Sequence, residues 1–436
     1  MLSTAELKSD LRYLKNKLET YHPGLYLYTK KAQIDELFDS LENSLSKPFT
    51  ELAFYKHITI ISSIIKDGHT IILPGAATTV YHNKNSVFLP YHFGIVNNQL
   101  YVDMVYTNDP SIAEGSEIIS INSINSKEIM RQLTDRQIRD GNNLTYPAWI
   151  LSNYFREYYS YIFGHAETNE ITYKINGHKS TTAIKALPKD SIYYYRQKFY
   201  PGKTFSNLPN DGIKLQIKKD NHCAILTIKD FHNSVLRKEF KQKFNRVIAA
   251  CFEEIDNSET ENLIIDLRNN QGGDIENGVF LLSYLFDKPF SVVQDYFCVK
   301  NYELQHCSGP ALGMHDPKSN SFKGPVYVLI NGGSFSNSGI VSSCLQNNGR
   351  AIFIGQETGG NPHVIAGFIK DISLPNTKIK IQIPTKQFII TDKLKNTGKG
   401  IMPTHIITPT LKDMLEGMDT ELNFTVDLIN RAIKGR

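Results

Sequence analysis

Three closely spaced serines, Ser334, Ser336 and Ser338, open the stretch "NGGSFSNSGIVSSCL", residues 331 to 345, directly after the apolar run "PVYVLI". A serine hydroxyl presented where a buried strand gives way to a helix can act as a nucleophile in acyl transfer. Ser336 is the candidate nucleophile. Ser334 or Ser338 can cap the helix and so leave the middle hydroxyl for chemistry. Asn337 can offer its backbone N–H on the same side. The alternative is a polar turn without chemistry.

A serine attacks only when a base takes its proton, and histidine is the usual base near neutral pH. The chain has 13 histidines, so most of them are bystanders. His69 is the best placed, in the tight turn "DGHT" just before a short apolar strand. His363 and His405 are its competitors. Spacing along the chain does not choose among the three, because catalytic residues meet in space.

Two glycine-rich turns are further candidates for the same cleft. In "DLRNNQGGD", residues 266 to 274, Gly272 and Gly273 allow a close backbone approach to a ligand and can aim N–H groups at negative charge. The alternative is an ordinary glycine loop between a strand and a helix. The turn "GQETGGN", residues 355 to 361, follows a later strand. Open α/β sheets build their active sites outside the carboxyl ends of such strands.

The elements that must position these turns fall into three predicted regions. Residues 1–75 predict a helical cap of three helices, the first opened by a capping box from Ser3 to Glu6 and stopped at "HPG". The third helix is predicted to carry apolar residues from Leu52 to Ile65, at helical spacing.

Residues 76–190 change to short strands. A strand from Ile118 to Ile121, a turn, and a helix beginning at Ser126 form an order that resembles the second half of a PDZ domain, whose groove takes a peptide as an added strand. Any small strand–turn–helix unit produces the same order. An Asn-Gly turn at 176 and 177 predicts a hairpin.

The third region, residues 205–425, follows a predicted linker at about 190 to 212. Continuous apolar strands alternate here with helices, one of them predicted over 236 to 256. This pattern favours a mostly parallel sheet covered by helices. The predicted fold class is therefore mixed α/β.

Composition excludes several classes of function. The net charge is +4 over 436 residues, with no block of like charges, so nothing demands nucleic acid. The apolar runs are shorter than the roughly 20 residues of a transmembrane helix. Five cysteines without paired spacing, and no HExxH motif, favour neither a structural metal site nor a disulfide framework. We therefore expect no metal and no cofactor.

Together these pieces resemble the C-terminal processing (tail-specific) peptidase family of serine proteases, which includes the tricorn core. "NLIIDLRNNQGGD" resembles the family's Asp-x-Arg-x-Asn-x-Gly-Gly signature, and "GGSFSNSGIVSSCLQNNGRAIFIGQETGGN" resembles its nucleophile block. "GKGIMPTHIITPT" resembles its closing segment. The resemblance runs from about residue 50 to 420. It implies a PDZ-like domain and a catalytic core of the crotonase/ClpP-like type.

The resemblance also implies roles for particular residues. Ser336 falls on the nucleophile, and the N–H groups of Gly272 or Gly273 and of Asn337 fall on the oxyanion hole. The bacterial processing branch uses a lysine base in the turn after Thr-Gly-Gly, but this chain has Asn361 there. A histidine far upstream is the base in the tricorn-like branch, and His69 resembles it.

Three further positions depart from the family's pattern or are hard to place. Gly339 stands where the family usually has Glu, and Thr404 stands where its closing motif has Asp. Tricorn-like members orient the histidine with an acidic residue near the C-terminus. Asp392 is the candidate for that residue.

The implied function is serine-type hydrolysis of peptides or unstructured protein tails through an acyl-enzyme. The rival reading is a non-catalytic binder of peptides or small ligands on the same fold. The family's usual location predicts a periplasmic or secreted protein whose signal has been removed. A cytoplasmic location stays open.

Overall fold

The computed structural model describes residues 1–202, 212–391 and 397–434. The N-terminal region is helical, as predicted, and its first helix begins with the predicted Ser3–Glu6 capping box. The predicted third helix is two helices separated by the single turn residue Thr59, whose C=O accepts the Ser62 N–H. The helices of this region are α1 (Thr4–Tyr21), α2 (Lys31–Ser44), α3 (Glu51–Ile58) and α4 (Ile60–Ile65).

The helical region leads into the short strand β1 (Ile71–Leu73), and a mixed region follows. Its elements are α5 (Ala76–Asn85), β2 (Val87–Phe88), β3 (Tyr91–Val96), β4 (Gln99–Val105), β5 (Glu117–Ile121), β6 (Ile124–Asn125), α6 (Ser126–Thr134), α7 (Thr145–Phe163), β7 (Thr168–Ile175), β8 (His178–Lys185), β9 (Leu187–Pro188) and α8 (Lys189–Phe199). One antiparallel sheet runs in the order β3-β4-β5-β7-β8, with β6 on β5.

Two local predictions in this region are confirmed and one is wrong. The strand, turn and helix over 117–134 are present, and the hairpin β7–β8 turns at Asn176 and Gly177, both with positive φ. The predicted linker at 190 to 212 is instead helix α8 up to Phe199. Ile192 on α8 is buried against Phe88 and Met104, so tertiary packing stabilises a helix that its tyrosine-rich sequence did not indicate. Residues 203–211 lie outside the described part of the chain.

The C-terminal half contains the largest set of elements. They are β10 (Ile213–Lys218), β11 (Cys223–Ile228), α9 (Asn233–Phe240), α10 (Phe244–Asp256), β12 (Asn262–Asp266), α11 (Ile275–Ser283), β13 (Phe290–Ser291), β14 (Asp295–Lys300), β15 (Glu303–His306), β16 (Met314–His315), β17 (Val326–Ile330), α12 (Asn337–Asn347), β18 (Ala351–Gly355), β19 (Val364–Ser373), β20 (Lys380–Ile389), β21 (His405–Ile406), α13 (Leu411–Glu416) and α14 (Thr420–Lys434).

The central sheet of this half has the order β10-β11-β12-β17-β18-β21. Every pair in it is parallel except β10–β11, which confirms the mostly parallel prediction. All five residues of β12 and of β17 are buried, because α10, α11 and α12 pack on one face of the sheet and α14 packs on the other. Coverage of both faces explains the continuous apolar runs.

The prediction of a single helix over 236 to 256 is wrong, because the helix is interrupted at Lys241, which has a φ of +58°. The cause is tertiary. The Gln242 side chain accepts the Ile213 N–H at 2.9 Å and donates to the Ile213 C=O at 2.8 Å. This pairing ties the break between α9 and α10 to the edge strand β10.

A second sheet connects the N-terminal region to the core. Its order is β1-β20-β14-β15, with β19 also paired to β20. β1 pairs antiparallel with β20, so that Ile71 lies opposite Gln382. The turn that precedes β1, which contains His69, is therefore anchored to the C-terminal half. No helix within the described ranges is long and apolar enough to cross a membrane.

Candidate active site

Ser336 occupies the sharp turn between β17 and α12. Its backbone has a φ of +53° and a ψ of −122°, a conformation that non-glycine residues rarely adopt. Such strain persists only where the surrounding structure enforces it, and it is concentrated at functional sites. A strained residue between a strand and a helix presents its side chain at the sheet's carboxyl edge.

The flanking serines do not cap α12, contrary to the sequence-based expectation. Ser334 Oγ donates to the Leu267 C=O at 2.8 Å and accepts the Asn331 N–H at 3.1 Å, so it ties the turn to the end of β12. Ser338 Oγ is buried and has no hydrogen-bond partner among the described residues. Ser336 is itself the residue preceding the helix, and its side chain makes no capping bond.

The Ser336 hydroxyl faces an imidazole instead. Ser336 Oγ and His69 Nε2 lie 3.1 Å apart, although 267 positions separate the two residues in the chain. The His69 turn is held locally by Asp67, whose Oδ1 accepts the His69 N–H at 2.8 Å and the Thr70 hydroxyl at 3.0 Å. The separation of 3.1 Å is within the reach needed for proton transfer.

The two competing histidines lie elsewhere. His405 is in β21, where its ring packs against Phe424 at a centroid distance of 5.3 Å. His363 follows Pro362, and its buried Nδ1 has no hydrogen-bond partner in the described part of the chain. Of the three candidate bases, the structure brings His69 to the serine.

Aromatic rings fix the plane of the imidazole. The Phe335 ring stacks on His69 at 4.6 Å on one side and on Tyr146 at 4.2 Å on the other. Trp149, the only tryptophan of the chain, continues the stack from Tyr146 at 6.0 Å. A Cβ at Gly68 would lie 2.5 Å from the Phe335 ring, so only glycine allows the histidine turn to approach this closely. The sequence analysis missed this packing.

The electrostatic environment favours the neutral form of His69. Burial lowers the pKa of the His69 imidazole, and this effect outweighs the nearby Asp67 carboxylate, which raises it. His69 Nδ1 is buried and has no hydrogen-bond partner among the described residues. The predicted orienting acid, Asp392, lies outside the described residues.

The glycine turn reaches the serine from the other side. Gly272 has a φ of +99°, and a Cβ there would lie 2.6 Å from the Asn337 backbone N and 2.7 Å from Ser336 Cβ. The Gly272 N–H already donates to Asn270 Oδ1 at 2.8 Å. The Gly272 C=O accepts the Phe231 N–H at 2.9 Å.

Two backbone N–H groups, those of Gly273 and Asn337, have no acceptor among the described residues. The N–H and C=O of a trans peptide point in opposite directions, so the Gly273 N–H points away from Phe231. The Asn337 N–H belongs to the first turn of α12, where a helix has no internal acceptor for it. Both N–H groups, together with the positive end of the α12 dipole, suit a developing negative charge.

The third turn, at Thr358 to Asn361, also borders the serine. Its Gly359 N–H donates to the Ser334 C=O at 3.0 Å. Both polar atoms of the Asn361 side chain are hydrogen-bonded. Its Nδ2 donates to the Tyr28 hydroxyl at 2.6 Å, and its Oδ1 accepts the His363 N–H at 2.8 Å. The position that holds a lysine in the bacterial processing branch is thus a structural amide here.

Two charged residues of the 266–274 segment, Asp266 and Arg268, form an ion-pair network with the start of α14. Arg268 pairs with Asp266 at 2.8 Å, and it also contacts Asp419 at 2.6 Å and Glu421 at 3.2 Å. The Arg268 guanidinium lowers the pKa of the buried Asp266 to about 2, against the effect of burial. This network fastens α14 to the end of β12. Within the described ranges, no group of three or more His, Cys, Asp or Glu side chains is arranged to hold a metal ion.

Sequence comparisons relate part of the chain to one protein family. Residues 222–407 match the sequence profile of peptidase family S41. Carboxyl-terminal-processing peptidase 3, chloroplastic, of Arabidopsis thaliana is 28% identical over 193 residues, which are 43% of this chain and 34% of the plant protein. The tail-specific protease of Haemophilus influenzae is 33% identical over 108 residues, which are 24% of this chain and 14% of that protein. The chain thus aligns with about a third or less of these two relatives' length.

Solved structures extend the likeness to the whole chain. The crystal structure of mature CPAF superposes with a TM-score of 0.72 at 14% identity, and the alignment covers 99% of this chain and 98% of that one. At such low sequence identity, the structural similarity shows a shared fold alone.

Proposed function

We propose that the chain, whose residues 222–407 match the profile of peptidase family S41, is a serine peptidase in which His69 serves as the base for Ser336. The observation that carries the proposal is the 3.1 Å contact between His69 Nε2 and Ser336 Oγ. The neutral state of the buried imidazole supports it, because only an unprotonated Nε2 can accept a proton.

The reaction proceeds through an acyl-enzyme. His69 Nε2 takes the proton of Ser336 Oγ as the oxygen attacks the peptide carbonyl carbon. The imidazolium then gives that proton to the leaving amine, and the C–N bond breaks. Water, deprotonated by the same imidazole, attacks the ester, and collapse of the second tetrahedral intermediate releases the carboxylic acid and restores the serine.

We assign the oxyanion to the N–H groups of Gly273 and Asn337. The Gly272 N–H is the weaker candidate, because it is already donated to Asn270 Oδ1. Gly272 contributes by its lack of a side chain, which lets this loop lie against Ser336.

Replacing Gly272 by alanine should therefore lower peptide cleavage on the order of 10²-fold or more, the effect of losing one oxyanion donor. The new Cβ would collide with the Asn337 N and Ser336 Cβ. Gly177→Ala is the matched control, because Gly177 also has a positive φ, of +84°, but has nothing within 4 Å of its Cβ position. The control should lose about 1–2 kcal/mol of stability and keep its rate. If Gly272→Ala cleaved peptide as fast as the parent, the close approach of Gly272 to Ser336 would not be needed for catalysis.

The choice of base supports assigning the chain to the tricorn-like branch of the family. Asn361 stands where the bacterial processing branch has lysine, and its amide is bound on both sides. An amide cannot accept a proton at neutral pH, so the histidine is the available base. Asp392 remains the predicted residue that orients His69 through Nδ1.

The substrate class follows from the architecture that we propose. We assign residues 1–75 to a helical cap, 76–190 to a PDZ-like domain and 205–425 to a catalytic core of the crotonase/ClpP-like type. The strand–turn–helix at 117–134 supports the PDZ-like assignment. Such a domain binds an extended peptide as an added strand, which favours peptides or unstructured protein tails as substrates. The proposed location is periplasmic or secreted.

A fluorophosphonate probe tests the proposal against its rival, a non-catalytic binder on the same fold. The probe should form a covalent bond with Ser336 Oγ and release fluoride, so that the intact protein gains the probe's mass. The Ser336→Ala variant should gain none. A folded protein that stays unlabelled at every probe concentration would favour the binder.

A further inference from the structure

A buried carboxylate joins the two turns that carry the reacting groups. Asp140 lies between α6 and α7 and is only 3% exposed. Its Oδ1 accepts the Gly68 N–H at 2.8 Å, and its Oδ2 accepts the Asn361 N–H at 3.1 Å. Gly68 directly precedes His69, and Asn361 ends the turn beside Ser336. Each oxygen of one side chain therefore holds one side of the cleft.

The turn that Asp140 holds through Asn361 is itself fastened to the serine turn. The Gly359 N–H donates to the Ser334 C=O at 3.0 Å. A Cβ at Gly360 would lie 3.6 Å from the Ser336 N and 3.7 Å from Asp140 Oδ2. The turn that contains Asn361 therefore contacts the backbone of the serine turn.

The residues after Asp140 also link the histidine turn to the Thr358–Asn361 turn. The Gly141 N–H donates to the Lys66 C=O at 2.9 Å, and Lys66 Nζ donates to Asn142 Oδ1 at 2.9 Å. Asn143 Nδ2 donates to the Thr358 C=O at 2.8 Å. The segment 140–143 therefore contacts the histidine turn on one side and the Thr358–Asn361 turn on the other.

We propose that Asp140 is a positioning residue, whose carboxylate sets the separation of His69 Nε2 and Ser336 Oγ by holding both turns at once. The inference rests on the proposed peptidase mechanism.

The electrostatic cost of Asp140 favours this role over simple stabilisation of the fold. Burial and the Asp67 charge raise the pKa of Asp140 above its ordinary value, while the two N–H bonds lower it. A charge buried beside a like charge is costly, and an apolar group is often as stable in such a place. What an apolar group cannot do is accept two N–H groups from two different turns.

A double-mutant cycle with Asp140→Asn tests the proposal. The amide keeps the shape of the side chain, but it can accept only one of the two N–H groups and turns a donor toward the other. We expect kcat on an internally quenched, unstructured peptide to fall about 10²-fold, the effect of a misplacement near 1 Å, while KM changes by less than about threefold. In a His69→Ala background, the same change should alter the residual rate by less than about twofold, because the separation it sets no longer matters.

Asp10→Asn is the matched control. Asp10 is fully buried and also accepts two backbone N–H groups, from Asn376 at 2.9 Å and Thr377 at 2.7 Å. It joins α1 to the turn between β19 and β20, and these hydrogen bonds involve neither the turn of His69 nor that of Ser336. This variant should lose thermal stability as Asp140→Asn does, but it should keep kcat within about twofold of the parent.

Each contrary outcome has a distinct meaning. An unchanged kcat in Asp140→Asn, with Ser336→Ala inactive, overturns the positioning role and leaves the peptidase standing. An equal loss in the parent and His69→Ala backgrounds, or a loss confined to KM, also overturns it. Full activity in Ser336→Ala overturns both proposals. If Asp140→Asn does not fold, Asp140→Ser is measured in the same cycle, since its smaller hydroxyl cannot span both turns.

Discussion

The Ser336→Ala variant is expected to lose peptide cleavage by about 10⁴-fold or more. The hydroxyl that it removes is the one that contacts His69 Nε2, at 3.1 Å. The binding surface and the backbone donors stay in place, so substrate affinity should change little. The measurement is kcat and KM on an internally quenched, unstructured peptide, with peptide affinity measured separately by anisotropy.

The chain offers a matched control two residues away. Ser338 has a buried Oγ with no hydrogen-bond partner among the described residues, and it lies in the first turn of α12. Ser338→Ala should therefore keep the rate within a few-fold of the parent and fold at least as well. Cleavage by Ser336→Ala at the parental rate would show that the nucleophile lies elsewhere.

The His69→Asn variant is expected to lose a comparable factor, about 10⁴-fold or more in kcat, because nucleophile and base act as a unit. For the same reason, the double variant Ser336→Ala/His69→Asn should be no slower than either single variant. His363→Asn is the control, since His363 was a competing base in the sequence and makes no contact with Ser336 among the described hydrogen bonds. Full activity in His69→Asn, or a large loss in His363→Asn, would reassign the base.

The pH dependence of the parent enzyme follows from the same imidazole. Burial lowers the pKa of His69, so the base stays neutral to a pH below the ordinary histidine value of about 6.5. The acid limb that His69 contributes should therefore lie below pH 6.5, whereas protonation of Asp140, whose pKa burial and Asp67 raise to about 7, should contribute a separate loss near that pH. Asp67 raises the pKa of His69, so Asp67→Asn should move the acid limb of kcat/KM to still lower pH. An acid limb above 6.5 that persists in Asp140→Asn would contradict this assignment.

Hydrophobic patterning predicted the mixed α/β fold because both faces of the central sheet are covered. The five buried residues of β12 and of β17 leave no polar alternation that would indicate an exposed face. The Asn176-Gly177 hairpin was equally predictable from the sequence, because a turn with positive φ at both positions selects those residue types.

The failures share a physical cause. The break at Lys241 depends on a pairing between Gln242 and Ile213, and helix α8 depends on the burial of Ile192 against a distant strand. Ser334 does not cap α12, because its hydroxyl is used by the Leu267 carbonyl. In each case a contact between residues far apart in the chain overrides the local conformational preference. Local sequence patterns cannot predict such a contact.

The sequence by itself determined the chemistry that is available: a serine at the end of a buried strand, glycines that permit close approach, and histidines able to take a proton. It left three histidines as candidates for the base. Only the tertiary structure distinguishes them, because it shows that His69 Nε2 lies 3.1 Å from Ser336 Oγ, in a turn anchored by the pairing of β1 with β20 and by the Gly68 bond to Asp140. Residue type sets what a group can do, whereas distances of a few ångströms between remote segments are set by packing alone.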